Sequence, residues 1–316
     1  MGRENETIIE LVEAGLPSDC KLAVFDHVTS NEGLLMPVKE LVEICHARGV
    51  MVLIDGAHGL GSMYPFSPAD IGAEYYAGNC HKWLSSVRGC GFLHVNHQRL
   101  RDAAPSNGDN EKPAAPVMVC SDKTCERGGP DVKMVAGAVR MPIISHGHGQ
   151  GFASEFIWDG ARDYSAALSL PACINFWERV GWENALGYSR ALLAYAVDRM
   201  TQRWGFDGGL FPLSMHCNMA LVPLPGEARG LAENLGDAAR GVQDALHDKM
   251  VECPVKAVAG GLYLRISAWI YNAPADYLKL ARAVDQVVGS IGKGDDEWAS
   301  CVQEDEFRLV MGSSSA

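Results

Sequence analysis

The stretch Val50-Met51-Val52-Leu53-Ile54-Asp55-Gly56-Ala57-His58-Gly59, with Gly78-Asn79-Cys80-His81-Lys82-Trp83 further on, decides the fold. VMVLID is almost wholly apolar, as a strand must be in a parallel sheet covered by helices on both faces. Upstream, KLAVFDHV (Lys21 to Val28) reads as a second buried strand. Between them Pro37 opens a helix whose Val38, Leu41, Val42 and Cys45 share one face at i, i+3, i+4 and i+7, and Gly49 ends it. A short strand before Asn79 and another in GCGFLHV (Gly89 to Val95) complete an open α/β sheet.

Ligands of open α/β sheets bind at the carboxyl ends of strands. Asp55 and His58 stand at one such end, and His81 and Lys82 follow another, so both segments can face one crevice. A lysine that sheds its proton can hold an aldehyde cofactor as an imine. A carboxylate keeps a pyridine nitrogen protonated and makes the ring an electron sink. Histidines and an Asn amide can hydrogen-bond a phenolate oxygen and a phosphate.

These motifs carry a resemblance. DGAHGLG with GNCHKW is similar to the class V aminotransferase family, fold type I of the pyridoxal-phosphate enzymes. The segments HVTSNEGLLMPVKEL, SHGHGQGF, FIWDGARDYSAAL and LYLRISAWIYN resemble its isopenicillin N epimerase-like branch, which also holds plant-type cysteine desulfhydrases and hercynylcysteine sulfoxide lyases. The likeness runs from about Lys21 to Val288. It implies pyridoxal 5'-phosphate as cofactor, an amino acid as substrate and a homodimer. It further implies that Lys82 carries the cofactor and moves protons at the substrate Cα. Asp55 then pairs with the pyridine nitrogen, His58 reaches the phenolate oxygen, and Asn79 and His81 help hold the phosphate. Arg265 is the implied clamp for a substrate carboxylate, a task suited to a guanidinium fork; Ser30 lies where the family places a polar residue near the substrate. The favoured reaction is C–S bond cleavage, with transamination and epimerisation sharing its first steps.

Each residue has a plainer reading. Lys82 alone would be a surface lysine, Asp55 a turn cap, and His81 a packed or solvated histidine. Arg265, within an apolar strand, stands as readily for a structural ion pair, and Ser30 for an ordinary turn residue. His146 and His148 suggest loop structure rather than a metal site, because no third ligand is near.

Two departures from the family pattern stand out. The family's lysine lies near the middle of a longer chain, whereas here it is residue 82, so a fragment, a truncated gene model or a degenerate, non-catalytic paralogue is expected. A sheet starting at Lys21 would have an unprotected edge and uncovered apolar surface. The family's GTRD motif reads Gly160-Ala161-Arg162-Asp163, without the threonine hydroxyl. Losing one hydrogen bond to a charged group costs about 1.5–3 kcal/mol of cofactor binding. Cys253, near where desulfurases carry a nucleophilic cysteine, sits in strand-like VECPV and reads as buried, which disfavours persulfide transfer.

The rest of the chain sets bounds. A net charge of −12 disfavours nucleic acid or an anionic membrane as partner. No apolar run approaches the roughly 18 residues of a membrane span. The start, MGRENETIIELVEAG, reads as an acidic helix rather than a signal or transit peptide. Ten scattered cysteines fit a reduced, cytoplasmic chain, with Cys120 and Cys125 an exposed thiol pair rather than zinc ligands. The expected organisation is a cofactor-binding large domain over 1–186 with a flexible insertion at about 103–135. A small α/β domain over 187–292 and a loose tail over 293–316 follow. Within it, helix from Asp163 to about Trp204, strand-like SMHCNMALVPL, a helix from Leu235 to His247, strand LYLRISA and a helix from Pro274 to Ile291 are expected.

Overall fold

The computed structural model describes residues 3–96, 160–226, 233–289 and 294–312, with single positions 99, 146, 147, 154 and 228 besides. The insertion expected at about 103–135, Cys120, Cys125 and His148 lie outside the described residues.

Helix α1 (Arg3–Gly15) precedes strand β1 (Leu22–Asp26), helix α2 (Val38–Ala47), strands β2 (Met51–Gly56) and β3 (Tyr75–Asn79), and strand β4 (Gly91–Val95). The four strands form one sheet in the order β1-β2-β3-β4. The first two pairs are parallel and the last is antiparallel. A short stretch separates β3 from β4, too short for the crossover that a parallel pair would require. The apolar face of α2 (Val38, Leu41, Val42, Cys45) is buried, and three of its members pack against Ala23, Val52, Ile54 and Tyr76 on one face of the sheet. On the opposite face Tyr75 and Val95 are buried against Met51 and Leu53. Leu22 and Val24, on edge strand β1, are 46% and 59% exposed, so the uncovered apolar edge expected from the sequence is present among the described residues.

Three consecutive helices follow: α3 (Ser165–Leu168), α4 (Leu170–Val180) and α5 (Trp182–Trp204). The N-cap position of this run is Tyr164 rather than Asp163, although Asp163 Oδ1 accepts the Ser165 N–H at 2.8 Å. The expected boundary at 186/187 falls inside α5. Its first turn buries Ala185 and Leu186 with Trp83, Trp177 and Trp269, and its later turns bury Leu192, Ala196 and Met200 in a second core. That second core is built on strands β5 (Met219–Pro223), β6 (Val255–Val258) and β7 (Gly261–Ser267), with helix α6 (Leu235–Asp248) between β5 and β6 and helix α7 (Pro274–Val288) after β7. The sheet order is β5-β7-β6, antiparallel throughout. The strand-like run SMHCNMALVPL is only partly strand, because Leu213–Met215 forms a 3-10 turn.

The tail expected to be loose is not so over most of its length. Helix α8 (Asp295–Gly312) occupies it. Among its acidic residues one face carries Trp298, Val302 and Asp305 at helical spacing. Trp298 is buried and its indole donates to the Tyr195 hydroxyl at 2.7 Å, while Arg199 pairs with Asp305 at 3.0 Å.

Candidate active site

Two loops at the carboxyl ends of β2 and β3 make the site. Asp55 is the last residue but one of β2, and its Oδ1 accepts the Ala57 N–H at 2.9 Å, turning the chain toward His58. After β3 the Cys80 N–H donates to the Cys90 carbonyl at 3.0 Å, and His81 Nδ1 lies 2.9 Å from the same oxygen. Because that oxygen can only accept, His81 is a donor through Nδ1.

Close backbone contact presses the two loops together. Gly61 has φ of 85°, and a Cβ there would stand 2.7 Å from the Leu84 amide nitrogen. The Trp177 indole clamps the second loop from behind, donating to the Leu84 carbonyl at 2.8 Å. As a result Lys82 Nζ lies 3.2 Å from His58 Nε2, and the Trp83 indole N–H donates to His58 Nδ1 at 3.3 Å.

Electrostatics of the cluster follow from partial burial. Burial lowers the Lys82 amine below the usual lysine range; Asp55 opposes this, Arg265 adds to it and Asp26 opposes it. His58 is pushed down to about 4, first by burial and then by Lys82 and Arg265. It is therefore neutral at pH 7. Asp26 is the register partner of Asp55 on the neighbouring strand, and its carboxyl is raised by burial, then by Asp55 and Glu32.

The structure thus brings together Asp55, His58 and Lys82, as the sequence suggested, and Arg265 acts on the same group. Arg265 projects from β7 and donates through Nη1 to the Ser30 carbonyl, with Ser30 Oγ at 3.5 Å. Its buried Nε has no hydrogen-bond partner, and no carboxylate among the described residues pairs with it. Asn79 is half-buried at the end of β3. Sequence reasoning missed Asp26, although it ends β1 in register with Asp55 on β2. It also treated Trp83 as context only, and passed over the buried pair His27 and Tyr76, joined at 2.9 Å behind the first loop. Cys253 is buried and its thiol is pushed up to about 12 by that burial, so it is no exposed nucleophile. Among the described residues no group of three or more His, Cys, Asp or Glu could hold a metal ion, and no helix is long and apolar enough to cross a membrane.

Residues 2–137 match the family model described as aminotransferase class-V. The chain is 32% identical over 289 residues to "Putative L-cysteine desulfhydrase 1" of Oryza sativa subsp. japonica, covering 85% of this chain and 52% of that protein. It is 29% identical to L-cysteine desulfhydrase of Arabidopsis thaliana (90% and 59% covered) and 28% identical to isopenicillin N epimerase of Amycolatopsis lactamdurans (89% and 64%). The chain thus spans about half to two thirds of these relatives' lengths. Among solved structures, a cysteine desulfurase from Thermococcus onnurineus NA1 superposes with a TM-score of 0.59 at 17% identity, over 89% of this chain and 63% of that one. The cysteine desulfurase CsdA of Escherichia coli gives 0.56 at 16%, over 89% and 62%.

The fold is that of the fold type I pyridoxal-phosphate-dependent enzymes, an α/β architecture with a mostly parallel first sheet. By sequence the chain is a relative of the class V aminotransferases, on the branch of the L-cysteine desulfhydrases and isopenicillin N epimerases, and pyridoxal phosphate is the cofactor of that family. The donor set here fits such a group: a lysine amine with lowered proton affinity, a neutral imidazole beside it, and a strand-end carboxylate with one oxygen unused by the described residues.

Proposed function

We propose that this chain provides the catalytic lysine of a pyridoxal-phosphate enzyme that cleaves the C–S bond of an amino acid. The observation that carries the reading is the Lys82–His58 contact at 3.2 Å beside the strand-end carboxylate of Asp55. Bound there, pyridoxal phosphate supplies an electron sink for the charge left at the substrate Cα. Asp55 would hold its ring nitrogen protonated, and Asn79 and the remaining nitrogen of His81 would serve its phosphate. His58 would donate to its ring oxygen. Lys82 would hold the cofactor through its partly buried amine, and the same amine would move a proton at the substrate Cα. Arg265, with its unpaired Nε, receives the substrate carboxylate with Ser30 beside it. The desulfhydrase relatives favour departure of sulfur from Cβ, and burial of Cys253 argues against a persulfide on that residue.

A homodimer belongs to this reading, and the exposed Leu22 and Val24 offer apolar surface for a partner to cover. The large domain would end, and the small one begin, within α5. The scattered free thiols are in keeping with a cytoplasmic setting.

Product analysis with L-cysteine and pyridoxal phosphate tests the reaction. Sulfide and pyruvate are the expected products. Keto acid with retained sulfur would replace this reading with transamination, D-cysteine would replace it with epimerisation, and no turnover would favour a non-catalytic chain.

A further inference from the structure

The contacts of His58 constrain its proton, and the constraint comes from a residue with no acid–base chemistry of its own. An indole N–H can only donate. Trp83 Nε1 donates to His58 Nδ1 at 3.3 Å, so Nδ1 must present its lone pair. A neutral imidazole with a bare Nδ1 carries its proton on Nε2, and that nitrogen faces Lys82 Nζ at 3.2 Å. For this contact to be a hydrogen bond, Lys82 must accept, which only the free amine can do. An ammonium would set two donors against each other.

We infer that Trp83 is a positioning residue that locks the tautomer of His58 and so holds Lys82 as a free amine. Aromatic packing fixes the indole: Trp83 is buried and meets Trp269 edge-on, with ring centroids 5.6 Å apart, and Trp269 lies 5.0 Å from Trp177. The Gly61–Leu84 backbone contact holds the histidine loop against it. Around Lys82 the other charged groups are Asp55 and Asp26, which favour the ammonium, and Arg265, which opposes it. Around His58 they are Lys82, Arg265 and Asp55. The tautomer lock therefore works with burial and Arg265 against two carboxylates.

The consequence is a lysine that reaches its nucleophilic, free-amine form at a lower pH than an exposed lysine does. Its use in catalysis rests on the proposed function, but the lock itself can be measured on the chain without cofactor. Reductive methylation with formaldehyde and borohydride, followed across pH by peptide mass spectrometry, reads the free-amine fraction of Lys82. Trp83→Phe keeps the aromatic packing and removes the N–H. The expected result is a midpoint displaced upward by roughly one pH unit, the size of one hydrogen bond. An unchanged midpoint in a folded variant overturns the inference. Nitrogen NMR of the histidines in the unaltered chain gives a second reading independent of any variant. His58 protonated on Nε2 is expected, and protonation on Nδ1 overturns the inference. Pyridoxal phosphate enters neither measurement, so a chain that bound no cofactor would contradict the proposed function and leave this result standing.

Discussion

Gly61 meets Leu84 so closely that a Cβ on the glycine would lie 2.7 Å from the leucine's amide nitrogen. This contact joins the loop bearing His58 to the loop bearing Lys82. Gly61 also has a left-handed backbone, with φ of 85°. In Gly61→Ala the backbone strain costs about 1–2 kcal/mol, and forcing the loops apart costs about 1–3 kcal/mol more. Denaturant unfolding should show the loss. Lys82 reactivity should fall as well, because the 3.2 Å contact opens.

That contact shows what a sequence can and cannot announce. The apolar runs of β1 and β2, and the Pro37 and Gly49 that bound α2, are local signals and were legible. Asp55, His58 and Lys82 could be grouped because each follows a strand that must end on the same side of the sheet. The Trp83–His58 bond was not legible, since it depends on how two loops close in space. Helix α8 was hidden for a similar reason: its acidic composition is local, whereas the burial of Trp298 against Tyr195 is not.

Acid should destabilise the fold between about pH 6.5 and pH 4. His27 and His58 are both pushed down to about 4 by burial, so the unfolded chain binds their protons first as pH falls. Stability contributed by their neutral forms is present above the unfolded value and is lost through this window, on the order of 3 kcal/mol per histidine at pH 4. Asp26, raised by burial, works in the opposite sense. His27→Phe should flatten the acid limb in denaturant unfolding at stepped pH; an unaltered slope would show that His27 is not neutral in the folded chain.

A buried ion pair ties α5 to α7. Arg203 Nη2 and Nε donate to Asp285 Oδ2 at 2.6 and 2.8 Å, and Trp204 donates to Oδ1 at 2.8 Å. Asp285→Ala removes the carboxylate from a buried guanidinium and should cost about 3–5 kcal/mol in chemical denaturation. Adding Arg203→Met should recover much of that loss.

Arg265 should govern affinity for the substrate carboxylate. Arg265→Ala is expected to raise KM for L-cysteine about 10- to 100-fold, the worth of a charge-assisted hydrogen bond. Turnover of cysteamine, which lacks the carboxylate, serves as the control. An equal loss for both compounds would assign Arg265 to structure instead.

The central claim is that Lys82 holds pyridoxal phosphate, and it is tested most directly by absorption spectroscopy. Pyridoxal phosphate added to the purified chain should produce a visible band, and borohydride reduction should then fix the cofactor to the peptide containing Lys82. Lys82→Ala should show neither. A wild-type chain with no band, or a band that survives Lys82→Ala, would contradict the account.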